Sequence, residues 1–171
     1  MPAPLIRLAR PADLGLLAGV EQAAGALFAP YPFAQAAADV ITPPADLRAG
    51  LDAGTLFVAE VEAAVVGFAL ASPLDGGMHL DELDVLPAHG RRGIGAALVA
   101  AVVDCARRRG LPHLTLSTLR SIPWNAPWYR RLGFRILEPG ELTPVLRGLL
   151  DHERARGLPM EDRVLMKLTL H

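Results

Sequence analysis

The apolar positions change period several times along the chain, and each change marks an element. Leu5-Ile6-Arg7-Leu8-Ala9 reads as a first strand. Beyond Pro11 and Asp13, Leu17, Val20, Ala24 and Leu27 recur at helical spacing. Pro30 and Pro32 break that helix and leave Phe28, Tyr31 and Phe33 as an exposed cluster. A short helix is expected from Pro44 to Ala53, with Gly54 as its stop. "TLFVAEV" and "AVVGFALAS" are two strands joined around Glu62-Ala63, and Asp75-Gly76-Gly77 turns the chain into a third, "MHLDELDVL". Three strands in such close succession predict an antiparallel meander.

The pattern changes at Pro87. Residues 94–109 form an amphipathic helix with Leu98, Val102 and Ala106 on one face, Arg107 to Arg109 at its C-terminal end and Gly110 as its stop. "HLTLST" follows as a strand, so strand 78–86, helix 94–109 and strand 113–118 make a β-α-β crossover that favours a parallel pair. A short helix then precedes the strand "GFRIL". "LTPVLRGLLDHERA" is helical, and "RVLMKLTL" alternates as a last strand at the edge of the sheet. No repeat, low-complexity tail or linker interrupts the pattern. Residues 1–171 are expected to be one α/β domain with a mixed, mostly antiparallel sheet flanked by helices.

Composition narrows the function classes. The 171 residues are 51% apolar with a mean hydropathy of +0.30, which argues against disorder. No apolar run reaches the ~18 residues of a membrane span, and the first residues, Met1 to Arg7, lack the layout of a signal peptide. A net charge of −1 offers no nucleic-acid surface. Cys105 is the single cysteine, which excludes an internal disulfide, and it shares the apolar face of Leu98 and Val102. A cytoplasmic domain without metal, membrane or nucleic-acid partner is expected.

Gly90-Arg91-Arg92-Gly93-Ile94-Gly95, between a strand and a helix, suits an anion. Missing side chains allow close approach, and the first amides of the helix point outward with partial positive charge. It is not a P-loop, because no Lys-Ser/Thr follows Gly95, and it is not the dinucleotide fingerprint, because Leu98 stands where the last glycine belongs.

With Val85-Leu86-Pro87 ahead of that loop, and Tyr129-Arg-Arg-Leu-Gly133-Phe134 downstream, the chain resembles the GNAT family of acyl-CoA-dependent N-acyltransferases. The resemblance implies acetyl-CoA as co-substrate and a splayed parallel strand pair that binds it. The loop amides of Arg91, Arg92, Gly93, Ile94, Gly95 and Ala96 would hold the pyrophosphate, and the backbone of Val85 and Leu86 would pair with the pantetheine arm. Gly90 stands where the family usually has Gln or Arg, so Arg91 or Arg92 would supply that contact. Asn125 would hydrogen-bond the pantetheine.

Direct transfer to an amine needs a base, a polarised carbonyl and an acid for the leaving thiolate. Tyr129 is the candidate acid, since a phenol keeps its proton at neutral pH. For the base, alternation puts Glu82 and Asp84 on one face of their strand, with Asp81, Leu83 and Val85 on the other. Glu82 is the first choice and Asp81 the second; His79 and His89 are further candidates, each read first as a surface residue. The acceptor would be a small-molecule amine or a peptide amino group. Its pocket is expected from residues 27–43 and 139–160, partly apolar through Phe28, Tyr31, Phe33, Leu149 and Leu150. A non-catalytic acyl-CoA sensor or assembly domain of the same fold is the alternative, and a homodimer is left open.

Overall fold

The computed structural model describes residues 3–171; Met1 and Pro2, where the reading against a signal peptide begins, lie outside them. Seven strands form one sheet in the order β1-β2-β3-β4-β5-β7-β6. These are β1 (Leu5–Leu8), β2 (Leu56–Val61), β3 (Ala64–Leu74), β4 (Gly77–Val85), β5 (His113–Leu119), β6 (Arg135–Ile136) and β7 (Arg163–Thr169). Every neighbouring pair is antiparallel except β4 and β5. The β2–β3–β4 meander is present, and Asp75 and Gly76 make its second turn with φ of 53° and 73°.

Strand alternation divides the apolar residues between two layers. Phe57 and Ala59 of β2 face α4 (Ile94–Arg108), where Leu98, Val102, Cys105 and Ala106 are buried. Cys105 is therefore core, as its place on the helix predicts. Leu56 and Val58 face the other way, with Phe68 and Leu70, onto Leu17 and Val20 of α1 (Leu14–Gly25) and Leu47 of α3 (Pro44–Ala53). Truncating fully buried Leu98 to Ala would cost ~2–5 kcal/mol, because these layers cannot collapse onto the gap. The N-terminal strand is fixed electrostatically: Arg7 reaches Asp13 at 2.7 Å and Glu60 at 2.8 Å. No helix among the described residues is long and apolar enough to cross a membrane.

The expectation of an edge position for the last strand is overturned. β7 lies between β5, paired from His113–Thr169 to Leu119–Arg163, and the two-residue β6. Val164, Leu165 and Met166 are buried in succession, which is the mark of a strand covered on both faces. The strand read as "GFRIL" shrinks to Arg135–Ile136, because Gly133 (φ 95°) still belongs to the turn closing α5 (Ala126–Arg131). The remaining helices are the single-turn α2 (Gln35–Ala38) and α6 (Pro144–Ala155), whose start Thr143 caps by accepting the Leu146 N–H.

Candidate functional site

The site begins where the sheet comes apart. The parallel ladder holds for three positions, Met78–Leu114, His79–Thr115 and Leu80–Leu116, and β4 and β5 then diverge. Asp81 is the extra residue of a bulge against β3, where Leu80 and Glu82 pair with the adjacent Ala71 and Leu70. The Leu86 N–H donates to the Val66 carbonyl (2.8 Å) and the Leu86 carbonyl accepts from His89 (2.8 Å). By strand alternation the backbone groups of Val85 and Leu83 point the other way, into the gap. The Leu83 N–H there meets only the carboxylate of Glu82, at 3.3 Å. Of the pair Val85 and Leu86, only Val85 turns its backbone toward the gap.

The glycine-arginine loop follows. Pro87–His89 makes one 3-10 turn, Arg91 and Gly93 take positive φ (57° and 79°), and Gly93 is the residue on which α4 starts. The first helical bond runs from the Ala97 N–H to the Gly93 carbonyl. The N–H groups of Arg91, Arg92, Gly93, Ile94, Gly95 and Ala96 find no acceptor among the described residues. Such a row of amides at a helix start forms a concave anion site. Gly95 lies under Trp128, whose ring carbons would be 3.4 Å from a Cβ there. Gly90 is extended (φ −62°), and a Cβ there would lie 3.3 Å from the Pro87 carbonyl oxygen. Arg91 and Arg92 are exposed and make no ion pair among the described residues. His89 is half-buried, correcting its surface reading, and its Nδ1 is buried without a partner.

Across the gap, α5 presents Tyr129. Asn125 starts this helix, and its carbonyl accepts from Trp128 (2.9 Å) and Tyr129 (3.0 Å), while its side chain does not cap the helix. The Tyr129 ring packs edge-on against Trp128 and Phe134, with centroids 4.8 and 5.6 Å away. Its hydroxyl has no hydrogen-bond partner among the described residues. Burial, then the charges of Glu82 and Asp84, push its phenol above the ordinary range, so it stays a proton donor. Trp124 belongs to a separate group with Phe28 and Tyr31, each 5.6 Å away.

Glu82 and Asp84 share a face, as alternation requires, and a third acid joins them. Glu21 of α1 brings a carboxylate oxygen to a position where one oxygen from each of the three lies within 4.8 Å of the others. Glu21 is buried and accepts three hydrogen bonds from Thr42: N–H to Oε1 (2.9 Å) and Oε2 (3.0 Å), and hydroxyl to Oε1 (2.9 Å). Asp84 Oδ2 is buried with no partner. Burial, then the Glu21 charge, pushes the Glu82 carboxyl up to about 7. Burial and the charges of Glu82 and Glu21 raise Asp84 well above the usual carboxylate range. Asp81, the second candidate base, is exposed and accepts from Ser72 at 3.0 Å. His79 is not a surface residue: it is 3% exposed, its Nδ1 lies 2.8 Å from the Thr115 hydroxyl, and burial pushes the imidazole down to about 4. Glu21 carried a signal in sequence, since it falls on the apolar stripe of Leu17 and Ala24.

Loop, tyrosine, Glu82 and Asp84 line one cleft of about 1140 Å³, with Glu21 behind them. Its far wall holds Arg163, bound to Glu153 (3.1 Å) and the Ser117 hydroxyl (3.0 Å), beside His152 and Arg156. Phe28 and Leu149 line the cleft as expected, whereas Tyr31 packs against Trp124 and Phe33 lies exposed; the cleft is partly apolar, through Leu27, Val40 and Leu158 as well, and carries acids and arginines besides.

An acetyltransferase (GNAT) domain model matches residues 52–136. Streptothricin acetyltransferase from Streptomyces lavendulae is 33% identical over 88 residues, which span 48% of this chain and 45% of that protein. The match thus spans under half of the relative's length. A GNAT acetyltransferase from Staphylococcus aureus Mu50 superposes with a TM-score of 0.75 at 15% identity, covering 99% of this chain and 100% of the other. N-acetylglutamate synthase from Neisseria gonorrhoeae, complexed with coenzyme A and N-acetyl-glutamate, gives 0.74 at 18% identity, covering all of this chain and 36% of the other. At such identities these two likenesses speak for the fold. Together with the domain match over residues 52–136, they place the chain in the GNAT acetyltransferase family.

Proposed function

We propose that the protein is an N-acetyltransferase that moves an acetyl group from acetyl-CoA directly to the amine of a small molecule or peptide. One observation carries this reading: five loop residues with unpartnered amides, Arg91, Gly93, Ile94, Gly95 and Ala96, line the same cleft as Tyr129 and Glu82. The amides of residues 91–96 suit a pyrophosphate, with Arg91 and Arg92 free to add charge. The Val85 backbone continues the sheet's hydrogen bonding to the pantetheine arm, and Asn125 reaches the same arm from α5. Relatives solved with coenzyme A support a coenzyme in this place.

Transfer then needs only proton traffic. Glu82, ionised, takes one proton from the incoming ammonium. The freed lone pair forms the N–C bond to the thioester carbonyl, and the C–S bond breaks with its electron pair left on sulfur. Tyr129 protonates that sulfur, and the surplus proton of the new amide nitrogen restores the phenol.

The test is thiol release from acetyl-CoA against a panel of amines, followed over pH. The acid limb should rise through about 7 as Glu82 ionises. In Glu82→Gln that limb should vanish, and the rate should climb toward the amine's own pKa, ~10 for an alkylamine. No thiol release with any amine, despite acetyl-CoA binding, would replace the transferase by a coenzyme-binding domain.

A further inference from the structure

The far wall of the cleft is built around a half-used guanidinium. Arg163, the first residue of β7, has a side chain only 14% exposed. Its Nε donates to Glu153 Oε2 (3.1 Å) and to the Ser117 hydroxyl (3.0 Å), and its Nη2 donates to Glu153 Oε1 (3.1 Å). The Ser117 hydroxyl in turn donates to Glu153 Oε2 (2.8 Å). One edge of the guanidinium is thereby occupied. The other edge, Nη1 with the second N–H of Nη2, has no acceptor among the described residues.

A salt bridge so little exposed gains little net stability, because desolvation offsets the attraction. What Glu153 and Ser117 give the guanidinium is direction, and Arg163 lines the cleft together with Glu82 and Tyr129. The charge of Arg163 is felt at both of those residues and at His79. Glu153 neutralises that charge, but a second cation stands on the same wall. Arg156, just past α6, is exposed and makes no ion pair among the described residues, and its charge reaches Glu21. The cleft therefore sets acids on one side against a net positive wall on the other.

We propose that the free edge of Arg163, with Arg156 beside it, binds a carboxylate of the acceptor, so that the acceptor is an aminocarboxylic acid rather than a plain alkylamine. A carboxylate offers two parallel acceptors to the two parallel N–H groups of a guanidinium edge, a match that a hydroxyl or a lone carbonyl lacks. The amine end then lies at Glu82 and the carboxylate end at β7, which fixes the acceptor's direction across the cleft. Arg163 and Arg156 are specificity residues in this arrangement. It names the substrate class of the transferase reading above and rests on that reading.

The experiment is calorimetric titration of the protein in the presence of coenzyme A with glycine, 4-aminobutyrate and 6-aminohexanoate. Each is set beside its carboxamide and the alkylamine of equal chain length, and thiol release from acetyl-CoA is followed with the same compounds. The three lengths measure the span between the two ends. At least one aminocarboxylate should bind roughly tenfold tighter than both of its counterparts without the carboxylate. Arg163→Lys keeps a cation for Glu153 but has no second edge, and Arg156→Ala removes a side chain that holds no partner, so both should fold. The preference for the carboxylate should fall roughly tenfold in Arg163→Lys and about threefold in Arg156→Ala. Equal binding of all three kinds of compound, or an undiminished preference in Arg163→Lys, would overturn the proposal. So would an equal loss of turnover on alkylamine and aminocarboxylate in Arg163→Lys, which would make the arginine part of the reacting centre. Aminocarboxylate binding without thiol release would remove the transferase reading and leave the carboxylate site standing; thiol release with alkylamines alone would do the reverse.

Discussion

Leu80 and Leu116 are the last residues to face each other across the parallel ladder; one step on, Asp81 bulges and Ser117 pairs only with Leu165. The gap that opens there exposes the backbone of Val85, while Leu86 is bonded to Val66. Hydrogen exchange should separate these neighbours. The Val85 amide should exchange quickly in the free protein and slow at least tenfold with coenzyme A, whereas the Leu86 amide should be protected in both states. Equal behaviour of the two would place the pantetheine arm elsewhere.

Gly93→Val is expected to weaken acetyl-CoA binding by more than tenfold. The position has φ 79°, which a β-branched residue tolerates poorly, at a cost of roughly 1–2 kcal/mol. No protein atom lies within 4 Å of a Cβ there, so the added side chain occupies the space in front of the amides. Gly93→Asn, which accepts this backbone conformation more readily, separates strain from obstruction: it should fold near normally yet still bind weakly in calorimetry.

Tyr129→Phe keeps the ring packed between Trp128 and Phe134 and removes only the hydroxyl. Acetyl-CoA affinity should stay within about threefold, and turnover should fall by ~10²–10⁴ when chemistry limits the rate. Single-turnover kinetics would show this, and an unchanged rate would leave the tyrosine a packing residue.

His79 should make stability depend on pH in a definite direction. Its folded pKa of about 4 lies below the ordinary 6.5, so the unfolded chain binds the proton more readily. The buried neutral ring contributes fully above 6.5, and the contribution is lost as pH falls from 6.5 through 4, by about 3 kcal/mol in all. His79→Asn can keep the bond to Thr115 without a titrating group. Urea unfolding of both proteins at pH 7, 5.5 and 4 should show the gap shifting in the variant's favour with acid. A constant gap would mean that the ring is solvated or already charged.

The central β-α-β unit was legible because its signals are local. Pro87, the loop glycines, the apolar stripe of α4 and Gly110 each act within a few residues, and α4 ends within one residue of expectation. The Glu82–Asp84 face followed from alternation alone. What sequence could not supply was parity and tertiary reach. Whether Val85 or Leu86 faces the gap depends on the hydrogen-bond phase against β3, which no side chain encodes. The acid from α1 needs that helix laid across β4, and the imidazole of His79 is buried only because β5 covers it. The place of β7 was misjudged because its polar alternation was weighed above the unbroken Val164-Leu165-Met166 run.

The family match covers residues 52–136, and so takes in Glu82, the loop and Tyr129. Glu21 and Thr42 precede that stretch, and Glu153, Arg156 and Arg163 follow it. The cleft is thus assembled from a middle stretch that the family match covers and from flanking segments that lie outside it. Exchanging residues 14–43 as a cassette would alter the charge that greets an acceptor while leaving the coenzyme's seat in place. On the proposed reading, such a chimera would accept different amines by recombination at two points, with Glu82 and Tyr129 unchanged.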